Sequence, residues 1–201
     1  MRGERLFAPY FDLVEAPAPM RRFVLAELDS PARHWHGLVH HALMLRIVTK
    51  GDRAPDDLRA LVLATLFHDF VYDATRTDNE EASADVARRW LAGEEADRVA
   101  ALIPATKRHD LDTDPVTRTL LEADLAVLWT TSERLYAFYA AGIRAEYAHV
   151  PDAAYRVGRT AVLRQLAAQL APFLDALRRV RLTRNLDCEI ARLSARSPSA
   201  A

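Results

Sequence analysis

The chain has 201 residues, with 27 basic and 28 acidic side chains, a formal net charge of −1 and one cysteine, Cys188. This length supports one sizeable core; balanced charge excludes a general nucleic-acid binder, and a lone thiol excludes internal disulfides and cysteine-rich zinc sites. No stretch approaches membrane-spanning length and MRGERLFAPYFDLVEAP lacks a sustained apolar region, so a soluble cytoplasmic protein without membrane contact is expected.

Apolar residues recur at spacings of three and four, and glycines are few, so the chain reads as all-α. Helices are predicted over 4–14 and 19–28, then over 32–50, where Ser30 and Pro31 supply a capping side chain and a proline for the first helical position. A fourth helix spans 55–71, following the break at Gly51 and Asp52. Helices over 78–92 and 94–108 follow, the first with a capping box from Thr77 to Glu80 and the second kinked or divided by Pro104. Asp114 and Pro115 open 115–128, and Thr130 with Glu133 forms a second capping box for 131–148. The last two helices run over 151–170 and 172–194. No linker divides the series, so residues 1–194 are expected to form one domain, with a small polar tail at 195–201 that is disordered.

Imidazoles and carboxylates punctuate these apolar helices. His36 and His40 stand four apart in HWHGLVHHALML and would share a helix face, although the HExxH pattern is absent. Such a pair also arises as two surface histidines. His68 and Asp69 close the apolar run LVLATLFHD. Helical neighbours point about 100° apart, so both reach one ion only near a helix end, which the polar segment FVYDATRTDN supplies. A hydrogen-bonded core pair is the alternative. Asp124 interrupts the stripe of Leu120, Leu121, Leu125 and Leu128, where a carboxylate needs an ion or a core arginine beside it. Borderline divalent ions bind this mixture of donors, and one shared ion would account for the whole set.

The order His40, His68–Asp69, Asp124 resembles the H…HD…D signature of the HD superfamily of metal-dependent phosphohydrolases. Longer blocks, HWHGLVHH, LFHDFVYDATRTDNEEASA, ATKRH, LLEADLAVL and IRAEYAHVPDAAYRVGR, are similar to the small family of predicted HD-superfamily phosphohydrolases, over roughly His34 to Asn185. The resemblance implies an HD-domain helical bundle with a mono- or dinuclear centre. It makes His40 the ligand from the first helix, His68 and Asp69 the paired ligands and Asp124 the distal one. His41 stands where an aliphatic residue is expected and would face away from the site.

In HD enzymes that hydrolyse guanosine tetraphosphate alarmones, acidic residues four and five positions after the paired histidine assist water attack. Here Tyr72 takes the first place and Asp73 the second, with Glu80 as another general acid/base candidate beside its capping role. His109 and Lys107 in ATKRH would bind phosphate, or His109 would complete a second metal position; a basic helix end is the plain alternative. Arg144, Tyr147 and His36 are further substrate-binding candidates. The arginines at 156, 159, 178, 179, 181 and 184 are expected on solvated faces, with one or two reaching inward.

These readings give a metal-dependent hydrolase of a small phosphate ester, a nucleotide by family analogy, that uses a metal-activated water. The divalent ion would be Mn, Fe, Co, Ni, Zn or Mg. A non-catalytic metal or nucleotide sensor is the alternative from another class, kept open by the missing acid at position 72. A di-iron oxygenase is disfavoured, since only His109 lies between the HD pair and Asp124. Oligomeric state is not legible.

Overall fold

The computed structural model describes residues 2–195, and the expectation of a disordered tail falls, beyond Ala195, outside them. The described chain is all-α, ten α-helices with short 3-10 segments and no strand. It divides into two units, Met1–Asp124 and Leu125–Ala201. No described helix is long and apolar enough to cross a membrane.

The first unit holds α1 (Arg2–Leu13), α2 (Ala18–Leu28), α3 (Leu38–Val48), α4 (Pro55–Phe67), α5 (Asn79–Trp90), α6 (Gly93–Leu102) and α7 (Pro115–Asp124). Helix α4 is its axis. Pro55 opens it, Asp56 and Asp57 sit against the positive end of its dipole, and Ala60 through Phe67 are all buried. A helix apolar on every side must be surrounded, and α3, α5, α6 and α7 all pack on it. Its C-terminal end therefore emerges inside the unit, and there stand His68 and Asp69.

Three expected helix starts are displaced. The third helix begins at Leu38, not at 32, so Ser30 and Pro31 open no helix and His36 lies ahead of α3. Arg33 Nη1 donates to His36 O at 2.9 Å, occupying the acceptor that His40 N–H would use in a longer helix. Gly37 caps α3, and a Cβ there would meet Leu28 O at 2.8 Å, so only glycine lets the segment lie this close to α2. Thr77 and Glu80 form no capping box. Asp78 is the N-cap of α5, and Asn79 binds the backbone of Asp73 through both side-chain atoms, at 3.1 and 2.9 Å. Likewise Ser132, not Thr130, caps α8 (Glu133–Glu146), accepting from Leu135 N at 3.2 Å.

Other expectations hold. Asp114 Oδ1 accepts from Val116 N and Thr117 N at 2.9 and 3.1 Å, capping α7. At Pro104, α6 gives way to a 3-10 segment over Ile103–Lys107. The fourth helix, by contrast, stops at Phe67 rather than 71; His68 is its C-cap, still donating from its backbone N to Ala64 O at 2.8 Å, and the chain turns at Asp69.

The second unit comprises the 3-10 segment Leu125–Trp129, α8, α9 (Asp152–Leu170) and α10 (Ala176–Ala195). Its interior carries a polar cluster. Arg159 Nε donates to Glu189 Oε1 at 2.8 Å and its Nη2 to Tyr139 Oη at 2.9 Å, while Tyr136 Oη donates to Glu189 Oε2 at 2.7 Å. Both charged residues are buried, so Arg159 is an arginine that reaches inward. Burial and the Glu189 carboxylate push the Tyr136 hydroxyl above its ordinary range, which keeps it a donor.

Candidate metal centre

Helix α3 carries His40 in its first turn, the end of α4 supplies His68 and Asp69, and the last residue of α7 is Asp124. The packing of α3 on α4 and α7 brings these groups together. His40 Nε2 lies 3.2 Å from His68 Nε2, 3.1 Å from Asp124 Oδ1 and 3.6 Å from Asp69 Oδ2. His68 Nε2 is 2.9 Å from Asp69 Oδ2 and 3.9 Å from Asp124 Oδ1. One ligand atom from each of His40, His68 and Asp124 falls within a common 4.8 Å.

These separations suit a bound ion. Ligands at right angles on a divalent ion, with bonds of about 2.1 Å, stand about 3 Å apart. Two nitrogens facing each other at 3.2 Å, with carboxylate oxygens beside them, match that spacing. A buried His40, His68 and Asp124 group of this kind can hold a metal ion. Thr65 O lies 3.0 Å from His68 Nδ1 and keeps a proton there, so that Nε2 is the nitrogen presented to the centre. His40 Nδ1 has no such partner among the described residues.

The electrostatics show how the protein balances these charges. Burial drives the His68 imidazolium down, but the Asp69 carboxylate, its hydrogen bond and Asp124 more than compensate, leaving the pKa up at about 9. Burial also lowers His40, and Asp124 does not fully restore it. For Asp69, burial pushes upward, yet the charges of His68 and His36 hold the carboxyl below the usual range. Asp124 is likewise held low against burial, by hydrogen bonds from His109 and His40. At neutral pH the two carboxylates are therefore ionised, and His68 carries the compensating proton.

Around this centre, His109 Nε2 donates to Asp124 Oδ2 at 2.9 Å, leaving Oδ1 toward the histidines. His109 sits at a left-handed φ of 51°, just past the 3-10 segment. His36 stacks on Tyr72 with ring centroids 4.1 Å apart and meets His40 edge-on at 5.6 Å, a placement made by the pre-helical turn rather than by a shared helix face. Asp73 caps a turn: its Oδ1 accepts from Thr75 N at 2.8 Å and Thr75 Oγ1 at 2.7 Å. Lys107 Nζ donates to Thr77 O and Glu81 Oε1, both at 2.6 Å, and lies 4.0 Å from Glu80 Oε2. Arg144 and Tyr147 belong to the second unit, where Arg144 binds Tyr147 O at 2.6 Å and Asp152 Oδ1 at 2.6 Å and closes the end of α8.

His41 does not face away. Because α3 is covered by both α4 and α7, its ring is fully buried with its centroid 4.9 Å from that of His68. Nδ1 donates to Gly37 O at 3.0 Å, while Nε2 is buried without a partner among the described residues. Replacing His41 with leucine is expected to stabilise the protein by about 1 kcal/mol or more, because an unsatisfied buried acceptor costs about 1–3 kcal/mol. Urea unfolding measures this, and a destabilised variant would show that the ring is needed where it is.

Sequence reasoning missed Thr65, whose role lies in its backbone carbonyl and leaves no side-chain signal. It also missed Arg33, which nothing in the sequence sets apart from the chain's other arginines. Comparison of the chain with protein-family models, curated proteins and solved structures gives no match.

Proposed function

We propose that this protein is a metal-dependent phosphohydrolase of the HD type, acting on a small phosphate ester, with nucleotides the leading class. The observation that supports this reading is the convergence of His40 Nε2 and His68 Nε2 with Asp69 Oδ2 and Asp124 Oδ1 at the buried end of α4. These four residues would hold the divalent ion. When bound, such an ion lowers the pKa of water and polarises a phosphoryl oxygen.

The surrounding residues have distinct tasks in this reading. Thr65 O orients the His68 ring, and His109 fixes Asp124 by its outer oxygen. Lys107 and His109 would neutralise phosphate oxygens, with His36 as a further contact. Glu80 and Asp73 are the groups that would take up or deliver a proton. Elemental analysis of purified protein, then a phosphate-release screen on nucleotides and sugar phosphates, tests the proposal. Loss of the working acid/base, by Glu80→Gln or Asp73→Asn, should lower kcat by about 10²–10⁴-fold with metal content unchanged. No turnover of any phosphate ester by metal-loaded protein would sink the hydrolase reading.

A non-catalytic sensor remains the second reading, because Asp73 already holds Thr75 through one oxygen and Tyr72 offers no carboxylate. The sensor predicts wild-type metal binding without turnover.

Metal uptake must also displace a proton. His68 is protonated up to about pH 9, so ion and proton compete for Nε2 below that value. Affinity should therefore rise with pH, by about tenfold per unit between roughly pH 6 and 8, with close to one proton released per ion bound. Titration calorimetry in buffers of different ionisation enthalpy measures the release. Flat affinity over that range would contradict the assignment of His68 as a ligand.

A further inference from the structure

Arg33 lies in the turn between α2 and α3, and its side chain is 4% exposed. Each of its five N–H groups has an acceptor. Nε and one Nη2 hydrogen go to Glu27 Oε1, at 3.3 and 2.8 Å. The other Nη2 hydrogen goes to Phe70 O at 2.5 Å, and Nη1 donates to Asp69 O at 2.6 Å and His36 O at 2.9 Å. Three backbone carbonyls from two separate stretches of chain thus converge on one buried cation.

Both stretches bear on the centre. The carbonyls of Asp69 and Phe70 belong to the segment that leaves α4, and the first carries the Asp69 carboxylate. The carbonyl of His36 immediately precedes the Gly37 cap of α3, three residues before His40. A guanidinium is planar, permanently charged and rigid in its fork, so its donors fix the directions of the acceptors as well as their distances. Glu27 completes the arrangement from α2 by fixing the far side of the fork.

We infer that Arg33 is a positioning residue, a strap that sets the His68–Asp69 segment against the start of α3 so that Asp69 and His40 face one centre. The inference rests on the metal reading above. Arg33 touches neither substrate nor ion in it and acts only through the two backbones. Lysine has the charge but no fork, and cannot serve three carbonyls and a carboxylate in these directions.

The test compares Arg33→Lys and Arg33→Ala with wild type, reading cobalt affinity by chelator competition and the visible spectrum of the bound cobalt. Circular dichroism of the metal-free proteins establishes that each variant is folded. Both variants should bind cobalt about 10–100-fold more weakly, the loss typical of removing an outer partner of a metal site, with altered spectra. Added guanidinium should restore affinity to Arg33→Ala, whereas methylammonium should not. Folded variants with wild-type affinity and spectrum overturn the inference and leave the metal reading standing. Should Arg33→Ala fail to fold, the lysine variant decides alone. Wild-type protein that takes up no cobalt overturns the metal reading and the inference together.

Discussion

Replacing Asp69 with alanine is expected to remove most bound metal, and phosphate release with it, from a protein that still folds. Asp69 Oδ2 stands 2.9 and 3.6 Å from the two imidazole nitrogens, while its own backbone lies beyond the last turn of α4. The variant therefore loses a ligand atom and leaves the Ala60–Phe67 core untouched. Affinity should fall by more than the roughly 10–100-fold that follows loss of an outer partner. The loss is partly offset, because Asp69 is the largest influence raising His68 and without it the competing proton on His68 Nε2 is held less firmly. Metal counted by elemental analysis and secondary structure by circular dichroism are the two readouts. Unchanged stoichiometry in a folded variant would remove Asp69 from the ligand set.

In the second unit the expected effect is a loss of stability. Glu189→Ala leaves the buried Arg159 guanidinium without its carboxylate and takes the acceptor from Tyr136. Breaking a buried pair from one side costs about 3–5 kcal/mol, since the remaining charge is stranded away from water. Changing both partners, Arg159→Met with Glu189→Leu, should recover much of the loss, because desolvation of two charges offsets most of their attraction. Urea midpoints for the single and double variants give both values. A single variant within about 1 kcal/mol of wild type would mean that water reaches Arg159 after the substitution.

Legibility from sequence followed the physics of side chains. The run LVLATLF announced a buried helix, whose end at Phe67 comes four residues before the predicted 71. His40 and Asp124 were conspicuous as polar residues among apolar neighbours, and the structure gathers both of them beside His68. Backbone acceptors carry no such mark. Arg33 was one arginine among many until Asp69 O, Phe70 O and His36 O were seen around it, and those same bonds keep 33–37 out of the helix that periodicity predicted. The capping boxes failed for a local reason: Asp78 and Ser132 stand nearer the helices than Thr77 and Thr130 and hold the N-cap positions, Ser132 with a side-chain bond from Leu135 N and Asp78 with its carboxylate turned to Arg76. His41 was misplaced because helical spacing gives the angle between two side chains, but not how many neighbours a helix has. Arg159 needed the partner on α10, 30 residues away, to become a core residue.

The centre also unites parts of the chain that lie far apart in sequence: His40 and His68 are 28 residues apart, and Asp124 comes from a third stretch. A chain with one cysteine has no disulfide to shorten its unfolded ensemble. An ion held by these residues would serve as a removable cross-link. Closing a loop of that size restricts the unfolded chain by an amount worth about 3–4 kcal/mol in the chain-entropy account. Chelation would then be felt first as a lower denaturant midpoint, with the native helices unchanged until they unfold.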